Sequence, residues 1–498
     1  MELNFHQTTL SCLRTTINQT QNQEQTQELR IPDGMPDIGS VLGTWGQVVI
    51  RSKEWRSGGM SISGGVMAWV LYRSDEDATI HCLDTWIPFQ MKWDAQNSGT
   101  DGTMQIFAVL SCIDARLVSA RKMMVRSCIR VKGEAFVDDR ATLYNAEQLP
   151  ADIQLLTQTY PVVMPREAGE KAFVLEDDLV LPVSCPRFDR LVRYELRPGQ
   201  IDQKVMVGKV VFRGTALLHI LYIADDGNLA SWDFELAFSQ FAELGADYDP
   251  EATARITMAV TSIELEKTES SFHLKAGMTG QYVIYDRCMA EVVEDAYSPT
   301  RTVHPVLSKI DIPVVLDAHT EFIRVEKPME LDIAQLGEIA FYPETPNLMQ
   351  RDNYMEGELS GFFQIVYYDT QGELQSAIVS WECMVSILSD QDADMTVDLL
   401  QTGSPQIVLS GNGAHLYADA LMDQMTFSHH GIPAVVGLEI GEEKEKAKDR
   451  PSLVLRRVDN DRLWDIAKAN NTTVEAIQKA NNLETVLDSN QLLLIPIP

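Results

Sequence analysis

Ile31-Pro32-Asp33-Gly34-Met35-Pro36 and Leu181-Pro182-Val183-Ser184-Cys185-Pro186 read alike: an apolar residue followed by two prolines four positions apart, 150 residues between the copies. Each proline fixes φ and removes a backbone donor, so the pair suits a rigid crossing at a sheet edge rather than a central strand. The same shift carries Gly64 onto Gly214, Leu71-Tyr72 onto Leu221-Tyr222, Ile106 onto Ile256 and Ile113 onto Ile263, while Phe89 and Phe238 differ by 149. A single match is cheap. A run of matches held in register over about 100 residues marks two homologous domains.

Inside each unit the periodicity is two. Met123, Val125, Ile129 and Val131 fall on one face and Lys122, Arg126, Arg130 and Lys132 on the other, the pattern of a half-buried strand. Ile256, Met258 and Val260 repeat it, and Asp225-Asp226-Gly227 between apolar runs reads as a hairpin turn. The fold expected is mainly β, as tandem antiparallel, sandwich-like units. Phe362 to Val385 resembles His219 to Phe238, each reading strand, acidic turn and strand with a tryptophan. It lacks the paired prolines, so it is either a diverged third copy or a separate β module. The pattern favours divergence.

These signals divide the chain. Residues 1–27, rich in Gln, Asn and Thr, read as an N-terminal arm or short helix, and 28–137 as the first β unit. Residues 138–175, with Pro161, Pro165 and Gly169, read as a connecting layer. The second unit spans 176–300 and the third 301–440. Residues 441–451 alternate charges without an apolar face and read as a solvated linker, which leaves 452–498 as a small terminal module.

The net charge of −31 argues against general affinity for nucleic acid or anionic lipid, since both need a basic surface. The seven cysteines are scattered, with no Cys-x-x-Cys pair, and read as buried thiols in a reducing compartment. The N-terminal stretch has no basic start followed by an apolar core, and no stretch reaches about 18 apolar residues, so neither export nor a membrane span is expected. His429-His430 is the one adjacent histidine pair, and no metal-ligand spacing accompanies it. Nucleophile-elbow, phosphate-loop and dinucleotide signatures are missing, so the expectation is a protein without cofactor or catalysis.

In the terminal module, Val454 to Val458 reads as a strand, Asp461 to Asn470 as a helix, Thr472 with Glu475 as the capping box of a second helix, and Leu492 to Pro496 as a closing strand. This β-α-α-β order resembles the LysM family. The family's Gly-Asp-Ser/Thr-Leu-Trp-x-Ile-Ala appears as Asn460-Asp461-Arg462-Leu463-Trp464-Asp465-Ile466-Ala467, and its Gly-Gln-x-Leu-x-Ile-Pro as Asn490-Gln491-Leu492-Leu493-Leu494-Ile495-Pro496. The resemblance implies a ligand groove between two loops, here Asn460, Asp461, Arg462 and Trp464 against Asp488, Ser489, Asn490 and Gln491. Arg462 replaces a small hydroxyl residue and Asp488-Ser489-Asn490 replaces a Pro-Gly approach, which moves the expectation from N-acetylglucosamine polymers toward protein. Trp464 is either core or an exposed anchor.

The β units resemble SPOCS domains, on the residues Ile31 to Ile38, Gly64 to Tyr72 and Ser119-Ala120-Arg121-Lys122 to Val131. Ser270-Ser271 stand in the second unit where the first has Arg121-Lys122, a pair read as part of a solvated strand face. SPOCS repeats with one C-terminal LysM are similar to the SipL-type family of spore-coat morphogenetic proteins. That resemblance implies a mother-cell cytoplasmic protein at the outer forespore surface. It also implies that LysM binds the basement-layer ATPase, stage IV sporulation protein A, with other coat proteins as further partners and peptidoglycan as the alternative ligand.

Overall fold

The computed structural model describes residues 2–56, 58–94, 102–146, 149–268, 271–330, 332–351, 354–388, 394–410, 413–444, 451–457, 462–482 and 492–497. After a short strand β1 (Glu2–Asn4), the chain builds one topology three times. Unit 1 comprises β2 (His6–Arg30), β3 (Ile38–Arg56), β4 (Gly59–Ser74), β5 (Ile80–Asp94), β6 (Thr103–Ser119) and β7 (Lys122–Asn145). A meander β3-β4-β5 forms one sheet, and the long strand β7, flanked by β2 and β6, forms the other. The two apolar faces share one core, with Trp45, Trp93, Ile106 and Ile129 at 2% exposure or less.

Unit 2 repeats this with β8 (Gln154–Leu179), β9 (Phe188–Met206), β10 (Lys209–Ala224), β11 (Leu229–Glu243), β12 (Thr253–Lys267) and β13 (Phe272–Tyr297). Unit 3 comprises β14 (Arg301–Met329), β15 (Gln335–Pro343), β16 (Asn347–Gln350), β17 (Tyr354–Tyr368), β18 (Leu374–Leu388), β19 (Asp394–Gln401), β20 (Gln406–Ser410) and β21 (Gly413–Glu443). Here β15 and β16 together take the place of β3, and β19 and β20 that of β6. The third unit therefore has the same strand order with two of its strands split. Each central meander strand carries a glycine directly opposite an aromatic residue of the next strand: Gly64 with Phe89, Gly214 with Phe238 and Gly361 with Trp381.

Residues 2–27 are not an arm or a helix. From His6 onward they form β2, paired along its length with β7. Residues 138–175 are not a separate layer either, since they hold the end of β7 and most of β8. Pro161 and Pro165 fit there because β8 is an edge strand that, among the described residues, pairs with β13 alone, and the register shifts beside Pro165.

The three units interlock. Cys12, Ala141 and Leu143 of unit 1, Met164, Ala290 and Val292 of unit 2, and Ile310, Ile432 and Ala434 of unit 3 share one buried cluster. The chain closes on itself because β1 adds to β21 and the Phe5 N–H donates to the Val436 carbonyl at 3.1 Å. The outer face of β7, read as half-solvated, is partly covered by the other units. Arg130 is 2% exposed, Lys132 donates to Asp398 at 2.7 Å, and Glu134 accepts from Arg255. Between units 2 and 3, Glu338 bonds Arg193 at 2.7 Å and His219 at 3.1 Å. Burial pushes the Glu338 carboxyl up, but His219 and Arg193 outweigh it and hold it at about 2.

Cys112 and Cys128 depart from the all-thiol expectation. They face each other across β6 and β7, with Cα atoms 4.9 Å apart, and form a disulfide.

Candidate functional site

The terminal module consists of β22 (Leu453–Arg457), α1 (Leu463–Ala469), α2 (Val474–Asn481) and β23 (Leu492–Pro496). Each strand is too short to hold alone, so they pair antiparallel, Leu453 with Pro496 through Arg457 with Leu492. Val454, Leu493 and Ile495 face Ile466, Ala467 and Ile477 of the helices in one small core. The second helix is capped by Thr473, whose hydroxyl accepts the Ala476 N–H at 3.1 Å. This is one residue later than the expected cap at Thr472. Asn481 ties α2 to β23, donating to the Leu494 carbonyl at 2.6 Å and accepting the Leu494 N–H at 2.7 Å.

Arg462 occupies the N-cap of α1 without capping it, and its guanidinium instead holds Asp465 at 3.0 Å. Trp464 lies inside a contact with unit 2. Its ring meets Tyr297, the last residue of β13, edge-on at 4.7 Å, and its Nε1–H donates to Asp295 at 2.8 Å. Lys468, one helical turn on, donates to both Asp295 oxygens at 2.8 and 2.7 Å. The Tyr297 hydroxyl donates to the Thr472 carbonyl at 2.8 Å. Lys444, at the end of unit 3, bridges the Ser298 carbonyl at 2.8 Å and the Asn471 side chain at 2.5 Å. Burial pushes the Asp295 carboxyl up, but hydrogen bonds from Lys468 and Trp464 outweigh it, so its pKa lies below the usual carboxylate value.

Arg462 thus stands exposed at the N-cap of α1 and Trp464 buried in its first turn. Asn460, Asp461, Asp488, Ser489, Asn490 and Gln491 lie outside the described residues. Sequence reasoning missed Asp295 and Tyr297, which no local pattern ties to a tryptophan 169 residues later. On the opposite face of the module, Leu453, Leu455 and Leu492 are each more than half exposed.

A family model described as SipL, SPOCS domain, matches residues 189–268, which lie within unit 2. A second, the LysM domain, matches residues 459–496. The chain carries a SPOCS domain and a LysM domain. Both are non-catalytic binding families, and their combination is the SipL-type architecture. No curated protein and no solved structure matches the chain. The SPOCS match runs from the start of β9 to the turn after β12, and the LysM match ends on β23. Among the described residues no cluster of three His, Cys, Asp or Glu side chains could hold a metal, and no helix is long and apolar enough to cross a membrane.

Proposed function

We infer that this chain is a non-enzymatic adaptor of spore-coat assembly whose LysM domain contacts a protein of the coat basement layer. By the SipL-type resemblance that protein is the ATPase named stage IV sporulation protein A, met in the mother-cell cytoplasm at the forespore surface, with other coat proteins as further contacts. The observation that carries the reading is the presence in one chain of a SPOCS domain at 189–268 and a LysM domain at 459–496. The proposed contact loops hold Asn460, Asp461 and Arg462 on one side and Asp488, Ser489, Asn490 and Gln491 on the other. Trp464 sets the module's orientation on unit 2 instead of meeting the partner directly.

Two features favour protein over peptidoglycan as the ligand. Leu453, Leu455 and Leu492 make an apolar strip on the face of β22 and β23 away from the helices, suited to a protein interface. Arg462 and Asp465 form an ion pair at the start of α1, where the family pattern has a small hydroxyl. The test offers the full-length protein to the purified basement-layer ATPase and to insoluble peptidoglycan. Retention on the ATPase, reduced by Leu453→Asp and Leu455→Asp together, is expected. Retention on peptidoglycan alone would sink the adaptor reading.

A further inference from the structure

Five residues on from Gly64, Gly214 and Gly361, each meander carries a matching row of three directly paired residues. In unit 1 the row is Trp45, Trp69 and Asp84, in unit 2 Glu195, His219 and Asp233, and in unit 3 Glu338, Val366 and Ser376. The central residue is tryptophan in unit 1 and valine in unit 3, neither of which changes charge. In unit 2 it is an imidazole, and Glu338 reaches it from the row of unit 3.

A neutral imidazole cannot satisfy these neighbours. Nδ1 lies 2.7 Å from the Asp233 carboxylate and Nε2 lies 3.1 Å from that of Glu338, with His219 7% exposed and Glu338 1%. Burial pushes both carboxyls up, but the bonds and charges around them outweigh it, so both are ionised acceptors. Besides His219, Glu338 has Arg193, and Asp233 has the Ser404 hydroxyl and the nearby charge of Arg197. An ionised carboxylate only accepts, so both ring nitrogens must carry a proton, which is the imidazolium.

The surrounding charges agree. Around His219 stand Arg193, Glu195 and Arg197 of β9, Asp233 of β11, and Glu338 and Tyr342 of β15. Burial pushes the Tyr342 phenol up, so it stays neutral. Two guanidiniums against three carboxylates leave one negative charge, which the imidazolium cancels. Burial pushes the imidazole down, but Glu338 and Asp233 outweigh it and its pKa lies above the ordinary value. Loss of the proton would turn a bare lone pair toward one carboxylate and leave an uncompensated charge in the contact between units 2 and 3.

We propose that His219 is a pH-sensitive lock between units 2 and 3, closed while the imidazolium bonds Asp233 and Glu338 together and loosened on the alkaline side when its proton leaves. A group of this sign contributes its stability fully below the unfolded value, near 6.5, and loses it as pH rises through the folded one. Full-length protein is followed from about pH 5.5 to about pH 9.5 by NMR of its imidazole C–H groups and by hydrogen exchange corrected for intrinsic rates. The His219 signal, identified by its loss in His219→Gln, is expected to titrate above about 6.5, and Asp233→Asn to lower that midpoint. Protection of β10 and β15 should fall by up to about tenfold per pH unit between about 6.5 and the midpoint and then level off. In His219→Gln this fall should be absent. If that variant does not fold, the signal that moves in Asp233→Asn identifies the imidazole and the native protein decides. Three results would overturn the lock: titration at or below the ordinary value, an imidazole still charged at about pH 9.5 with β15 equally protected throughout, or native protection that follows the same pH course as His219→Gln.

Discussion

In unit 1 the loop after β2 is closed by the Met35 N–H on the Pro32 carbonyl at 3.2 Å, and in unit 2 the loop after β8 by the Cys185 N–H on Pro182 at 2.9 Å. Tyr72 donates to the Pro36 carbonyl at 3.3 Å and Tyr222 to Pro186 at 2.8 Å. The Asp75 and Asp225 N–H groups reach the carbonyls of Asp37 and Arg187. Beyond this shared frame the units diverge. In unit 1 the Arg121 guanidinium, from the tip of β6 and β7, bonds the carbonyls of Ile31, Pro32 and Met35 and the carboxylate of Asp37. In unit 2 Phe188 packs between Tyr222 and Phe272, with the Lys267 ammonium over Phe188 and Phe272. The backbone path thus comes from prolines and a tyrosine that repeat at the same shift, and the side chain that secures it is exchangeable. The solvated-face reading of Arg121 is corrected accordingly: half exposed, it is the clamp of unit 1.

The contrast extends to what each unit carries, and the largest expected effect tests it. Unit 2 holds LysM through Trp464, which is 7% exposed in the module's own core. Trp464→Ala removes that ring and its bond to Asp295, and is expected to cost the module about 3–5 kcal/mol. Hydrogen exchange should rise across α1 and α2 and leave unit 1 unchanged. Equal protection in the variant would mean that the indole neither packs the module nor docks it.

A smaller effect compares the central glycines. A Cβ on Gly64 would overlap the Val49 carbonyl oxygen, with the Phe89 ring 2.9 Å away, whereas on Gly214 the nearest atoms are the Gln200 oxygen at 2.8 Å and the Phe238 ring at 3.0 Å. Both alanine variants should lose about 1–3 kcal/mol, the unit 1 variant more, as read from urea midpoints. The reverse order would contradict the packing described. Below this comes Arg121→Ala, which should cost about 1 kcal/mol net for bonds at a half-exposed site. Limited proteolysis is expected to cut at residues 31–37 and to spare 181–187. Cleavage at both loops would show that the clamp is not confined to unit 1.

The repeat was legible because its carriers are residues with fixed backbone consequences: prolines in the loops, glycines in β4 and β10, and alternating apolar residues in β7 and β12. Strand β2 was not, because glutamines take the alternate positions from Gln19 to Gln27 opposite the core residues of β7, which erases the period-two signal there. Strand β8 was obscured by Pro161 and Pro165, which an edge strand tolerates and a central one does not. The LysM outline was legible from residues 460–467 and 490–496. Its docking was not, since the partners of Trp464 and Lys468 lie at Asp295 and Tyr297, far away in sequence and brought near only by the tertiary fold. The Cys112–Cys128 bond likewise exists only in the folded register of β6 and β7.

The smallest effect concerns Asp295, the carboxylate that unit 2 offers to LysM and that unit 1 has no described counterpart for. Its folded pKa lies below its unfolded value, because the bonds from Lys468 and Trp464 outweigh burial. Such a group contributes stability above the unfolded pKa, near 4, and loses it as pH falls through the folded value. The Lys468 side chain is 44% exposed, so solvent screening keeps the ion pair's share below about 1 kcal/mol. The Trp464 indole N–H resonance should therefore stay constant from neutral pH down to about pH 4 and shift or broaden below it. Asp295→Asn should remove that acid-side change while leaving the indole bond in part. A transition on the alkaline side instead would mean that the contact is governed by another group and that unit 2 does not hold LysM through this carboxylate.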